Sequence, residues 1–478
     1  MIQKITIIGG GPGGYTAAFE AAKAGAEVTL IEAAYMGGTC LNWGCIPTKT
    51  FKASAETLET VHRLKEFGIS GECSAVADMP AIVARKDKVA GTLRGGLEKT
   101  CSKLKVNLIH GTAKVVNANL VRVRINDGQE QEITGDKVII ATGSRNLDLP
   151  SLPVDHTKII SSNDALELDH VPERLLVVGG GVIGSELACI FQAFGSKVTI
   201  VEGLDRILPL PSIDQDMSKL MQREMKKRKI SCEVCRTAVK AEPASTGVSV
   251  TLGPSPFLDQ VPASAQKEKV VEADVVLVAV GRVPNTEGLG LAEAQVETDK
   301  RGWIVTDEYC RTSQPGIYAI GDVLGPSKVM LAHVAVMEGL IAARNCLGKN
   351  EVMDYSVIPS AVFTTPEVAT VGLTEIQAQE QGYNVSCVQS QFRELGKAQA
   401  MGELSGTFKL IVDADSGKLL GAHLTGAHVS DIIAEPTLAL TLGATGRDIA
   451  QTIHAHPTLA EGLFEAAQEI LHGAGEPT

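Results

Sequence analysis

No uninterrupted apolar run in this 478-residue sequence approaches the roughly 20 residues that cross a bilayer; the longest, such as Val275 to Val280, are strand-sized. A soluble protein with no membrane partner is therefore expected. Positive charge is also in short supply, since 44 Lys and Arg face 56 Asp and Glu for a formal charge of −12. Nucleic acids are bound through a basic face that supplies most of the affinity, so a nucleic-acid partner is set aside. A dense disulfide framework is missing too. The ten cysteines are mostly scattered singly, which excludes a small secreted scaffold and points to a reducing compartment. Nothing at the start reads as a signal peptide: Ile5 to Ile8 flows directly into a glycine motif, so a first strand is expected, and a protein of the cytoplasm, or of an organelle if a transit sequence has been removed. One hydrophobic core cannot serve a chain of this length, and two to four domains are expected.

What the sequence does have is glycine, 48 residues of it, without a collagen-like period. Part of it marks two copies of one unit. Strand-like Lys4 to Ile8 leads through Gly9, Gly11 and Gly14 into a helical stretch, a stop at Gly25, and a second strand ending at Glu32. Leu175 to Val178 leads through Gly179, Gly181 and Gly184 to Gly195 and a strand ending at Glu202, in the same order. The first glycine of such a motif permits a tight turn, the second admits a pyrophosphate, and the third allows close helix packing; the phosphates sit on the helix N-terminus. The closing acid accepts hydrogen bonds from a ribose. One such motif is weak, but two in full strand–helix–strand context predict two dinucleotide sites. Glu202 favours NAD over NADP, because a carboxylate repels a 2′-phosphate. Arg206 is a mild counterweight and reads more simply as a solvated loop arginine.

Directly after the first unit comes Gly37-Gly-Thr-Cys40-Leu-Asn-Trp43-Gly44-Cys45-Ile-Pro-Thr-Lys49. Five helical residues rise about 7.5 Å, whereas a disulfide needs Cα atoms roughly 6 Å apart. Joining Cys40 to Cys45 would therefore take a distorted turn, for which Gly44 offers the freedom. Two buried thiols fit poorly with this polar, glycine-rich setting, and a zinc site would need a second ligand pair that does not follow. Cys232 and Cys235 form a C-x-x-C in an extended stretch, where positions three apart face opposite ways, and read as structural.

These residues resemble the pyridine nucleotide–disulfide oxidoreductases over nearly the whole chain. Gly37 to Lys49 is similar to the family's redox-disulfide segment, with Trp43 where a smaller apolar residue is usual. Ala141-Thr-Gly143 and Ala279-Val-Gly281-Arg282 are similar to the turns that close each nucleotide unit. Thr312 through Gly321-Asp322 resembles the second FAD motif, and Met330-Leu-Ala332-His333 the segment under the flavin. His454-Ala-His456-Pro-Thr-Leu-Ala-Glu461 resembles the family's base segment. Taken alone, a histidine before proline is an ordinary structural residue, and His-x-His also suits a metal; no metal site is expected here.

The resemblance implies an α/β fold of two Rossmann-like units, for FAD and NAD, plus a C-terminal α+β dimerisation domain. Its expected divisions are an FAD region in two parts, 1–146 and 275–348, an inserted NAD region at 147–274, and an interface domain at 349–478. It implies that Cys40 receives the substrate sulfur, Cys45 faces the flavin, and His456 is the acid/base oriented by Glu461. Asp322 would hydrogen-bond the ribityl chain, and Lys49 would pair with Glu186. From their own setting, Lys49 reads equally as a solvated helix lysine and Glu186 as a favourable N-terminal charge. The implied activity is NAD-dependent oxidation of dihydrolipoamide on the lipoyl-bearing protein of a 2-oxoacid dehydrogenase or glycine cleavage complex, by a homodimer. Glutathione, coenzyme A-disulfide and mercuric reductases are the neighbouring activities. Glu202 opposes the NADP preference of the first, and the last cysteine, Cys387, leaves no C-terminal pair of the mercuric type. A non-catalytic flavoprotein scaffold is a third reading, but needs none of Cys40, Cys45, His456 and Glu461. Pro254 to Lys267, rich in Pro, Ser, Gln and Lys, reads as an exposed loop without chemistry.

Overall fold

The fold described here is that of a computed structural model, and it describes residues 2–71 and 74–473. The strand Lys4–Ile8 is apolar on both faces, as a central parallel strand must be. It lies between Glu27–Glu32 and Lys137–Ile140, both parallel to it, with Ile317–Ala319 and Asn107–Asn117 outside them. The second unit repeats this arrangement. Its order is Ser231–Val234, Lys197–Glu202, Arg174–Val178, Val275–Val278, Ile159–Ser161, all parallel. In each unit an antiparallel three-stranded meander follows the third strand of the run, ending at Thr134 in the first and Ala273 in the second.

Two short crossings join the units, Ser144–Asn146 leaving and Arg282–Pro284 returning, and they pair antiparallel. The expected division before Val275 is therefore corrected. Val275–Val278 is the fourth strand of the second sheet, hydrogen-bonded to Leu175–Val178, and the chain returns only after it. A strand that is apolar throughout fits either sheet, so its burial pattern could not assign it.

The helix Cys45–His62 buries Phe51 and Ala55, spaced one turn apart, against the second unit's helix Val182–Phe194. Phe51 meets Phe194 edge-on at 6.2 Å between ring centroids. Full burial of a phenylalanine contributes about 1.5–3 kcal/mol, so this contact fixes the cysteine helix across the boundary between units. The third region is an antiparallel sheet of Ser360–Val362, Glu367–Gly372, Leu419–Gly426, Thr407–Asp413 and Val385–Gln391, backed by the helix Glu461–Gly473.

Among the described residues no single helix is long and apolar enough to cross a membrane. The bent pair Gly321–Ser327 and Ala332–Cys346 passes on composition alone. Its longer helix is instead a core element, packed against Pro12–Lys23 so closely that a Cβ on Gly339 would meet the Gly13 carbonyl at 2.5 Å.

Candidate active site

The two glycine loops are built alike. Gly9 and Gly179 hold φ of 105° and 109° and donate to the carbonyls of Ile31 and Val201, each at 2.8 Å. A Cβ on Gly14 or Gly184 would lie 1.8 or 1.9 Å from the carbonyl oxygen of Gly9 or Gly179, so both are needed for packing within the unit. Gly11 and Gly181 differ. A Cβ on Gly11 would find only Gly38 at 3.9 Å, and one on Gly181 nothing within 4 Å. No atom of the described residues demands glycine there, which fits space kept for a ligand. Glu32 and Glu202 each accept two backbone N–H groups, from Gly10 and Ala34 and from Gly180 and Leu204, at 2.7–2.8 Å. That fixes both carboxylates at the mouths of their loops. Arg206 lies half-buried in the loop after Glu202, where its guanidinium donates to the carbonyls of Leu210 and Ile213 at 3.3 and 3.4 Å.

The cysteine segment leans on the first loop. Gly37 donates to the Gly10 carbonyl at 2.8 Å, and a Cβ on Gly38, at φ 56°, would come within 2.7 Å of the Gly11 Cα. The expected distortion is a break between two helices, Gly38–Asn42 and Cys45–His62, at Trp43 and Gly44. Both thiols are free and half-buried, with the Cys40 thiol hydrogen-bonded to Cys45. That bond, opposed by burial and helped by Lys49, lowers the Cys45 thiol below its ordinary range, while the same coupling raises Cys40. Cys45 also opens its helix, where the positive end of the dipole favours a thiolate.

Lys49, one turn after Cys45, pairs with Glu186 at 3.0 Å, and Glu186 is only 4% exposed. The carboxylate also accepts the Phe363 N–H at 2.9 Å, and the Lys49 ammonium lies 4.1 Å from the Phe363 ring centroid. Ser144 and Arg282 complete this end of the site. Ser144 donates to Asp322 at 2.8 Å, and Arg282 donates to Ser144 Oγ at 2.7 Å. Burial lowers the Arg282 pKa, while the charges of Asp322, 3.9 Å away, and of Cys45 act to raise it. Asp322 follows Gly321, whose φ of 74° turns the chain, and Ala332 and His333 begin the next long helix, with His333 hydrogen-bonded to the Pro359 carbonyl. Gly143 and Gly281 hold φ of 69° and 139° at the two crossings. Thr142 Oγ1, beside Gly143, is buried without a hydrogen-bond partner among the described residues, an orphan that a bound flavin nucleotide would satisfy. The sequence did not single out Thr142, Ser144 or Phe363. The first two adjoin a recognised turn; no pattern pointed to Phe363.

The histidines of His-x-His diverge. His454 is buried between Glu435 and the Thr452 carbonyl. His456 has a side chain 76% exposed and bonds Glu461 Oε1 through Nδ1 at 2.8 Å. Glu461 Oε2 accepts the Thr458 N–H, and that bond, then His456, holds its carboxyl below the usual range. Among the described residues no hydrogen bond or ion pair joins His456 to the cysteines, and no His, Cys, Asp and Glu cluster suits a metal. Cys232 and Cys235 stay apart from this site; a bend at Cys235, φ 59°, separates them where strand alternation was expected to.

The sequence pattern of the pyridine nucleotide-disulphide oxidoreductases matches residues 3–339, and that of the family's dimerisation domain matches 358–467. Dihydrolipoyl dehydrogenases of Haloferax volcanii and Bacillus subtilis are each 40% identical, over 98% and 97% of this chain and 96% and 95% of theirs. The crystal structure of LpdA from Mycobacterium tuberculosis superimposes with a TM-score of 0.89 at 27% identity, covering 98% of this chain and all of that one.

Proposed function

Because the chain belongs to the pyridine nucleotide-disulphide oxidoreductase family, we propose that it oxidises dihydrolipoyl groups carried on a partner protein, with NAD as electron acceptor and as a homodimer. The observation that carries this reading is the Lys49–Glu186 pair, which ties the helix of Cys45 to the head of the second unit's helix. The thiols thereby lie where both nucleotide units meet. The relatives' dihydrolipoyl activity and the carboxylate of Glu202, fixed at the mouth of the second loop, support the choice of substrate and of NAD.

FAD fits the first unit through Gly11, Thr142, Asp322 and the helix starting at Ala332, and NAD fits the second through Gly181 and Glu202. When bound, FAD supplies the two-electron relay between the cysteine pair and NAD. The protein does the rest. His456, oriented by Glu461, removes a proton from a substrate thiol, because a thiolate and not a thiol attacks a disulfide. That thiolate attacks Cys40 in the Cys40–Cys45 disulfide and releases Cys45 as a thiolate. The second substrate thiol then attacks the first sulfur, expels Cys40, and closes the lipoyl disulfide; its proton passes to the departing Cys40, while His456 keeps the proton of the first. The Cys40 hydrogen bond, Lys49 and the helix N-terminus hold the Cys45 thiolate. His456 is supplied by the partner subunit, whose approach is favoured by the exposed Leu438, Leu442 and Ile453 beside this base segment. The test is NADH formation from dihydrolipoamide beside the reduction of glutathione and coenzyme A disulfides by NADH and NADPH. Preference for either disulfide, or equal use of NADP, would overturn the reading.

A further inference from the structure

We propose that Phe257 is the platform on which the adenine ring of the dinucleotide stacks in the second unit, an inference that rests on reading that unit as the NAD site. The loop after the strand Val248–Pro254 showed no chemistry in sequence, yet its placement is specific. Pro254 pairs with Arg236 and Gly253 with Thr237, directly after the strand Ser231–Val234 ends. The loop therefore emerges at the carboxyl edge of the parallel sheet, where open α/β sheets hold nucleotides. Ser255 donates to the Cys235 carbonyl at 3.0 Å and Cys235 to the Leu204 carbonyl at 2.9 Å, which ties the loop to the segment following Glu202. Ser255 Oγ in turn accepts the Phe257 N–H at 3.2 Å.

The ring lies on Gly203. A Cβ there would stand 2.8 Å from Phe257 Cδ2 and 3.1 Å from Cε2, with Thr237 Cγ2 at 3.4 Å. Gly203 is not among the residues of positive φ, so its backbone would accept any side chain. The bare Cα serves to let the ring settle. Phe257 nonetheless stays 69% exposed, next to the acid that meets the adenosine ribose. A rigid aromatic surface there has the chemistry to stack a purine, since every base presents a π-face. Among the described residues the first unit is built differently: Ala33 follows Glu32, the exposed Tyr35 beyond it lies against Trp43 and under the Arg94 guanidinium, and its meander turns tightly between Ile125 and Glu130. The platform thus distinguishes the nicotinamide cofactor's site from the flavin's.

Binding of ADP-ribose and of NADH to the oxidised holoenzyme, measured by calorimetry, tests this directly. Phe257→Ala should weaken both about ten-fold, and Phe257→Tyr should restore them. The KM for NAD should rise while kcat at saturation stays within about two-fold. Flavin absorbance and melting temperature should not change, and reduced nicotinamide mononucleotide, which lacks adenosine, should react equally well with all three proteins. An unaltered Kd for ADP-ribose in Phe257→Ala overturns the platform while leaving the NAD site standing. Failure of the unmodified protein to bind ADP-ribose overturns the assignment of the second unit itself, and the platform with it.

Discussion

Several influences meet on the Cys45 sulfur: a hydrogen bond from Cys40, the charge of Lys49 one turn on, and a helix N-terminus, all acting against burial. Their sum lowers its pKa. In the two-electron-reduced protein Cys45 should therefore react with iodoacetamide at a pH midpoint below the ~8.5 of a free thiol. Cys40→Ala removes the largest contribution and should move that midpoint up the most, with Lys49→Met moving it less. Mass spectrometry of the Cys45 peptide across a pH series decides this, and an ordinary midpoint in the unmodified protein refutes it. Glu461 plays a different part. It spends one oxygen on the Thr458 N–H and keeps the other for His456, so the imidazole is aimed before any substrate arrives.

At the scale of the element, the duplicated glycine loops separate two reasons for glycine that sequence alone merges. A Cβ on Gly184 collides with the Gly179 carbonyl, whereas one on Gly181 meets nothing. Gly184→Ala should lower stability by about 1–3 kcal/mol through overpacking. Gly181→Ala should leave the melting temperature unchanged yet weaken NADH binding several-fold, because in the proposed NAD site the pyrophosphate, and not the protein, takes that space. Calorimetric unfolding and NADH titration of the two variants give opposite patterns under this account; loss of stability in Gly181→Ala would sink it.

At the scale of the whole molecule, the seam between the second unit and the C-terminal sheet carries an ion cluster centred on a buried lysine. Lys409, 1% exposed, reaches Asp214 at 3.0 Å, Asp216 at 2.8 Å and Glu375 at 2.7 Å. Burial works against the charge of Lys409 and the three carboxylates overcome it, so its pKa is raised. Burial likewise pushes Asp214 up, but the Asp216 N–H, His423 and Lys409 hold its carboxyl below the usual range. A depressed carboxyl contributes stability above its unfolded pKa of ~3.9 that is lost as pH falls through the folded value. Lys409→Met should cost about 3–5 kcal/mol at neutral pH by leaving buried charge unpaired. It should also move the acid-unfolding midpoint upward. Urea and acid titrations read by tryptophan fluorescence check both, and a neutral effect would show that the cluster is dispensable.

The assembly sets the last expectation. Cys45→Ser and His456→Ala homodimers should each be nearly inactive with dihydrolipoamide. A mixed dimer of the two should recover up to about half the activity, since its isologous contact leaves one site with both defects and one with neither. An inactive but correctly assembled mixed dimer would place both groups on the same chain.

The two nucleotide units, the cysteine pair and the His456–Glu461 dyad were legible in the sequence, because each rests on residues close together in the chain whose spacing is set by one turn or helix. Even Lys49 belongs with these, standing four residues after Cys45. Partners far apart in the chain were not legible in the same way. Glu186 was equally readable as a favourable charge at a helix start until packing of Phe51 on Phe194 brought it to Lys49. Val275–Val278 could join either sheet because both are apolar throughout, and only hydrogen-bond register placed it in the second. Ser144 reaching Asp322, Phe363 closing on Lys49, and Lys409 among three carboxylates depend on how separate elements dock. Local spacing determines a loop or a helix; the meeting of distant side chains is decided by the burial that stacks whole elements together, and no local pattern records it.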